Sequence, residues 1–341
     1  MNVVPGYTFD DVLLIPKKSS IESREDIDLS VKFNKGIELQ IPVISANMTN
    51  VTGPEMAVEI ARLGGMAILH RFVDDVPSFV KQFTDAVDGP NYNMPLMYNR
   101  NHIGVSIGIH ESDKERVAAV VDVGCRIICV DVAHGHHDNC LRMCEYIANK
   151  YPDVLLIGGN IATAKGAVDL TNAGADVNKV GVGPGSLCST RVETGNGVPQ
   201  LSALDDVYQE LKNSNVNIVA DGGIKKPGDI TKSLCFSHAV MLGNLLAGTD
   251  EAPGNIIKVD GRDFKQYAGS STHKSKHVEG IIGLVPYRGP VAQVITHLME
   301  GLRSGLSYQG ASNLYELRKD PCFVSISNAG LVESNPHDVR Y

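Results

Sequence analysis

Residues 179–200 read KVGVGPGSLCSTRVETGNGVPQ, an apolar run that opens into a glycine-rich loop carrying a single cysteine, Cys188. Glycines at 181, 183 and 185 let the backbone take positive φ and approach a ligand closely, freeing main-chain N–H and C=O groups to face an ion or a phosphate. A thiol in such a loop is a candidate nucleophile. With an ordinary pKa of ~8.5 it is mostly protonated at neutral pH, so catalysis requires oriented N–H dipoles or a positive neighbour. Arg191, three residues further on, is a candidate for that charge. The remaining six cysteines read as small buried hydrophobes. Cys125 and Cys129 flank or enter the run RIICVD, Cys140 and Cys144 fall four apart on one expected helix face, and Cys235 and Cys322 have no partner nearby in sequence. Neither pair has C-x-x-C spacing, and an odd, scattered set argues for a reducing compartment over a disulfide scaffold.

Further polar groups close other apolar runs: SANM at 45–48, DVAHGHH at 131–137, GGN at 158–160, ADGG at 220–223 and MLGN at 241–244. Asp221 can accept from a sugar diol, and the glycines after it and at 243 expose N–H groups for a phosphate. The H-x-H of His134 and His136, followed by His137, has a zinc-ligand spacing. The further His and Asp ligands such a site needs are not recognisable after the later runs, so these imidazoles are read as bordering a cofactor cleft or facing solvent.

A repeated unit must position these groups. Apolar runs at 41–46, 66–70, 103–108, 126–131, 154–158, 177–183, 217–221 and 239–243 each read as a buried strand. Between them, 54–63, 112–123, 139–151, 164–173 and 203–212 have helical spacing, while the link after Val240 is less regular. Near-continuous apolar strands alternating with amphipathic helices predict an α/β fold with a parallel sheet covered on its outer face, and eight units predict a closed (β/α)8 barrel. The open doubly wound alternative lacks its G-x-G-x-x-G fingerprint in the first unit. In a barrel all the polar run ends converge on one mouth, with the last two strands at the usual phosphate position.

The formal charge of −8 opposes sequence-independent binding to nucleic acid or to an anionic membrane, both of which need clustered Lys and Arg. No apolar run approaches the ~20 residues of a membrane span, and the opening MNVVPGYTFDDVLLIPKK has no basic segment leading into a long apolar core. The expectation is a cytoplasmic protein.

The strings TFDDVLLIP, ISANM, KVGVGPGSLCSTR with GNGVPQ, ADGGIKKPGDI, VMLGN and GLRSGLSYQGA resemble the inosine monophosphate dehydrogenase and guanosine monophosphate reductase family, across nearly the whole chain. Dehydrogenases of that family usually carry paired CBS modules after the second strand. Here only residues 88–101 fill the gap, so 1–341 is expected to be one catalytic barrel domain with an N-terminal extension and a C-terminal tail. The resemblance implies a purine nucleotide enzyme working at carbon 2 of the ring through a thioimidate on Cys188, with Thr190 and Glu279 as the proton-relay pair. It implies that Ser186, Gly222, Gly223, Gly243, Asn244 and Tyr267 form the phosphate site. Asp221 would hold the ribose, and Ser270 and Ser271 the purine edge. Asp131, near Asn160, would face the cofactor. Carbonyls of Gly183, Gly185 and Cys188 match a potassium site, completed by a neighbouring subunit's Glu333, Ser334 and Asn335 in an oligomer that is usually a homotetramer.

Direction is implied by what the chain lacks. Dehydrogenases of the family activate water with an Arg-Tyr or Arg-Phe pair on a flap after the YxG element, but YAGSSTHKSKHVEG, residues 267–280, contains no arginine. That favours a GMP reductase, with NADPH and GMP giving IMP and ammonia. The alternatives are an IMP dehydrogenase without CBS modules, using NAD, and a barrel that binds nucleotide without turnover. The ending AGLVESNPHDV looks more like the dehydrogenases, and Asn244 stands where glycine or serine is common.

Overall fold

The eight apolar runs become eight short parallel strands, β1 (Val43–Ser45), β2 (Met66–Leu69), β3 (Ile103–Ile107), β4 (Ile127–Asp131), β5 (Leu155–Ile161), β6 (Val177–Val180), β7 (Asn217–Asp221) and β8 (Ala239–Leu242). The computed structural model describes residues 1, 3–89, 101–269 and 282–336. The strands hydrogen-bond in chain order and close into a barrel, β8 pairing with β1 through Leu242 opposite Ser45. Nearly every strand residue is buried, because the inner face fills the barrel and the outer face lies under helices. This is the (β/α)8 architecture that the alternation predicts.

The helices include α1 (Pro54–Arg62), α2 (Val76–Asp88), α3 (Asp113–Asp122), α4 (Asp138–Lys150) and α5 (Ala164–Asn172). Local chemistry sets their starts: Asp75 accepts from Ser78 N ahead of α2, and Thr163 accepts from Gly166 N ahead of α5. A one-turn helix α6 (Thr190–Thr194) leads to α7 (Gln200–Leu211), which begins three residues before the helical spacing does. Pro199 holds the extended cap and delivers Gln200 inward, where it is 2% exposed. A further helix, α8 (Pro227–Leu234), follows β7.

After β8 the chain departs from the regular unit. A single turn α9 (Asn244–Ala247) leads to a three-stranded antiparallel sheet of β9 (Ile256–Val259), β10 (Arg262–Ala268) and β11 (Ile282–Pro286), then to α10 (Val291–Gln309). Helix α10 lies hard against α8: a Cβ at Gly301 or Gly305 would fall 2.3 Å from Pro227 or 2.4 Å from Thr231. Before the barrel, Val12–Leu14 pairs antiparallel with Phe323–Ser325, tying the two flanking segments together. Cys322, expected in the core, is exposed, because it precedes this two-stranded edge. The buried thiols are therefore Cys125, Cys129, Cys140, Cys144 and Cys235.

Candidate active site

A cavity of about 600 Å³ opens where the strands end and their βα loops begin. Cys188 is exposed on its wall, with its N–H bonded to Gly185 O at 3.0 Å. Its Sγ lies 3.1 Å from Thr190 Oγ1, the first residue of α6, so thiol and hydroxyl form a ready donor–acceptor pair. Arg191 is committed elsewhere. Its guanidinium donates to Val198 O at 2.6 Å, and its stem fills the space beside Gly183 and Gly197, where a Cβ would come within 2.6 and 2.7 Å. The charge expected beside the thiol instead closes the loop on itself.

The ends of β4, β5, β6 and β7 carry a buried charge cluster. Lys179, 1% exposed on β6, donates to Asp131 Oδ1 at 2.7 Å and Asp221 Oδ2 at 2.9 Å, and also to Asn160 Oδ1. Asn160 in turn donates to Gly181 O at 2.8 Å and Asp221 Oδ2 at 2.9 Å. A register shift between β5 and β6 at Gly159 to Ile161 turns Asn160 into this cluster, as bulges at barrel rims do. Burial alone would raise the Asp131 carboxyl, but Lys179 and a hydrogen bond from Asn47 outweigh it and hold the group below the usual carboxylate value. Burial would likewise lower the Lys179 ammonium. The two carboxylates reverse that and drive it well above its ordinary value, so Lys179 stays charged throughout the physiological range.

A third wall comes from the turns after β7 and β8. Gly222 and Gly223 take φ +98° and +83°, and Gly222 lies against the cysteine loop, where a Cβ would meet Gly185 N at 3.2 Å. Gly243 meets the Tyr267 hydroxyl so closely that a Cβ would fall 2.7 Å from it. That hydroxyl also faces Met48 Sδ at 3.6 Å, and burial pushes its pKa up, leaving it a neutral donor. Asn244 and Ser186 complete the cavity's rim.

The predicted residues of the cysteine loop, the two glycine turns, Tyr267, Asp131 and Asn160 thus share one cavity. Ser270, Ser271 and Glu279 lie outside the described residues. Glu333 ends a short helix, Asn328–Glu333, beyond which Ser334 Oγ and Asn335 Nδ2 donate back to Gly330 and Leu331 carbonyls. The three histidines after β4 are engaged by their neighbours. His136 Nε2 lies 2.8 Å from Asp169 Oδ2, His134 sits edge-on to His136, and His137 Nδ1 accepts from Asn139 N at the start of α4. Sequence reasoning missed Lys179, Asn47 and Gln200. A lysine inside an apolar strand was the available signal for the first.

The family model described as the IMP dehydrogenase / GMP reductase domain matches residues 6–337. The chain belongs to this family. An inosine-5'-monophosphate dehydrogenase from Borreliella burgdorferi is 36% identical, the match covering 98% of this chain and 97% of that protein. A GMP reductase from Leishmania donovani is 32% identical, covering 98% and 97%. The fold of a GMP reductase from Trypanosoma brucei, solved with guanosine 5'-monophosphate, superposes with a TM-score of 0.92 at 28% identity over 99% of each chain. Both named activities are oxidoreductases, and this IMP dehydrogenase / GMP reductase barrel carries the family's fold across its length. Among the described residues no helix is long and apolar enough to cross a membrane.

Proposed function

We propose that the chain is a GMP reductase, converting GMP and NADPH to IMP, ammonia and NADP⁺ in purine nucleotide salvage. The observation that carries this reading is the absence of any arginine between Tyr267 and Gly280, which leaves the thioimidate without the water-activating pair. The Cys188 thiol gives up its proton through Thr190, 3.1 Å away, and the thiolate adds to carbon 2 of the purine. The bond from carbon 2 to the exocyclic nitrogen then breaks, with Glu279 and Thr190 supplying the proton that lets ammonia depart. NADPH, when bound, supplies the hydride that reduces carbon 2. Loss of the carbon–sulfur bond returns the thiolate and frees IMP.

The residues fit both ligands. Asp221 and Asp131, each paired with Lys179, offer carboxylate acceptors to the hydroxyls of the nucleotide and cofactor ribose groups. The turns at Gly222, Gly223 and Gly243, with Tyr267, offer donors to the phosphate. Carbonyls of Gly183, Gly185 and Cys188 suit a hard cation such as K⁺, since Gly185 O keeps a lone pair beyond the one that Cys188 N uses. On this reading a neighbouring copy supplies Glu333, Ser334 and Asn335, in a homotetramer.

The runner-up, an IMP dehydrogenase using NAD, is favoured by the Borreliella burgdorferi relative, which is the more similar in sequence of the two. An absorbance assay for reduced nicotinamide decides between them, pairing GMP with NADPH or NADH and IMP with NAD⁺ or NADP⁺. GMP-dependent oxidation is the expected result. IMP-dependent reduction yielding XMP, with no GMP reaction, would overturn the assignment and require another residue, such as His273 or Lys274, to activate water.

A further inference from the structure

The register between β6 and β7 ends at Val180 opposite Ala220. Beyond that point the chains diverge, one into the cysteine loop and the other into the Asp221–Gly222–Gly223 turn. Asn160 bridges them from the cavity side, through Gly181 O and the Asp221 carboxylate, and one further side chain joins their main chains directly. Gln200, the first residue of α7, donates from Nε2 to Val180 O at 2.9 Å and to Asp221 O at 3.3 Å. The gap is narrow: a Cβ at Gly181 would fall 1.9 Å from Asp221 O and 3.3 Å from Gln200 Nε2, and one at Gly223 would lie 3.7 Å from Gln200 Cβ. The other end of the amide, Oε1, is buried with no hydrogen-bond partner among the described residues. Reversing the amide would press that oxygen against two carbonyl oxygens, so the donating end is the one in use.

We propose that Gln200 is a positioning residue that fixes the distance between the Cys188 loop and the turn that receives the nucleotide. The inference rests on the reading of Cys188 as nucleophile and of Asp221 to Gly223 as the nucleotide cradle. A pure packing residue would need only to fill volume. Here two donors on one rigid amide tie the last carbonyls of two diverging strands, in front of the catalytic loop.

The test uses Q200M, which keeps the volume and removes both donors, and Q200N, which keeps the amide but is too short to bridge. Cys188 alkylation by iodoacetamide is followed by mass spectrometry across a GMP titration, with Cys322, the other exposed thiol, as internal reference. The GMP concentration that half-protects Cys188 should rise by about tenfold, the effect of losing two neutral hydrogen bonds, while the Cys322 rate is unchanged. The five buried cysteines should stay unlabelled. Unaltered protection in either variant overturns the proposal, as does labelling of the buried cysteines in both, which would make Gln200 a general packing residue. A wild-type Cys188 that neither GMP nor IMP protects would refute the nucleotide reading itself, a failure distinct from the first.

Discussion

At the scale of single residues, the fold separates two exposed thiols, Cys188 and Cys322, from five buried ones, and only Cys188 stands in the cavity. Burial pushes the Cys129 thiol far up and the Cys235 thiol to about 12, so neither reaches the thiolate state in water at neutral pH. Cys188 is exposed, lies in a loop of glycines and touches Thr190. Replacing it with Ala removes the nucleophile and leaves the turns at Gly222, Gly223 and Gly243 intact. Nucleotide binding, followed by calorimetry, should therefore stay within about threefold of wild type, inside the spread usual for a surface substitution, while turnover disappears. Turnover at the wild-type rate would end the covalent mechanism. The cysteine is legible in the sequence because glycine spacing and a lone thiol coincide. The contacts of Lys179 are not: a lysine inside an apolar strand marks the position, but Asp131, Asn160 and Asp221 reach it from three other strands.

Among the elements, those buried on both faces are the easiest to read. The eight barrel strands show as continuous apolar runs, whereas β9 is exposed along its whole length and carries no core signature. The start of α7 escapes the helical spacing because a buried glutamine looks polar in sequence. Strands β7 and β8 also share a feature that only the structure exposes: His238 Nδ1 accepts from Ile218 N at 3.0 Å while the His238 backbone N–H donates to Ile218 O at 2.8 Å. Burial, with Arg318 nearby, pushes this imidazole down to about 3. As pH falls below the ordinary value of ~6.5, the unfolded chain takes up a proton that the folded chain refuses, so stability is full above that value and erodes towards the folded one. The slope for one proton is at most ~1.4 kcal/mol per pH unit. The variant His238→Gln keeps an acceptor for Ile218 N and removes the titration. Its Tm should therefore change less than that of wild type between about pH 6 and about pH 4 in thermal melts. Parallel curves would show that the imidazole is not held neutral.

For the whole molecule, the open question is whether one chain makes a complete site. On the proposed reading the cysteine loop lends three carbonyls to a cation, while Ser334 and Asn335 bond back to the short helix that Glu333 ends. The same proposal takes the remaining oxygens from a neighbouring copy, which would couple assembly to the conformation of the loop bearing Cys188. Exchanging Na⁺ for K⁺ at constant ionic strength should then raise kcat, and removal of residues from 333 onward should abolish the response while leaving the barrel's melting transition in place. The response should also weaken on dilution, because it depends on subunit contact, and sedimentation at the same concentrations should report dissociation in step with it. Activity that ignores the cation, or that responds equally in the truncated chain, would place the ion's ligands within one subunit or remove the ion from the mechanism.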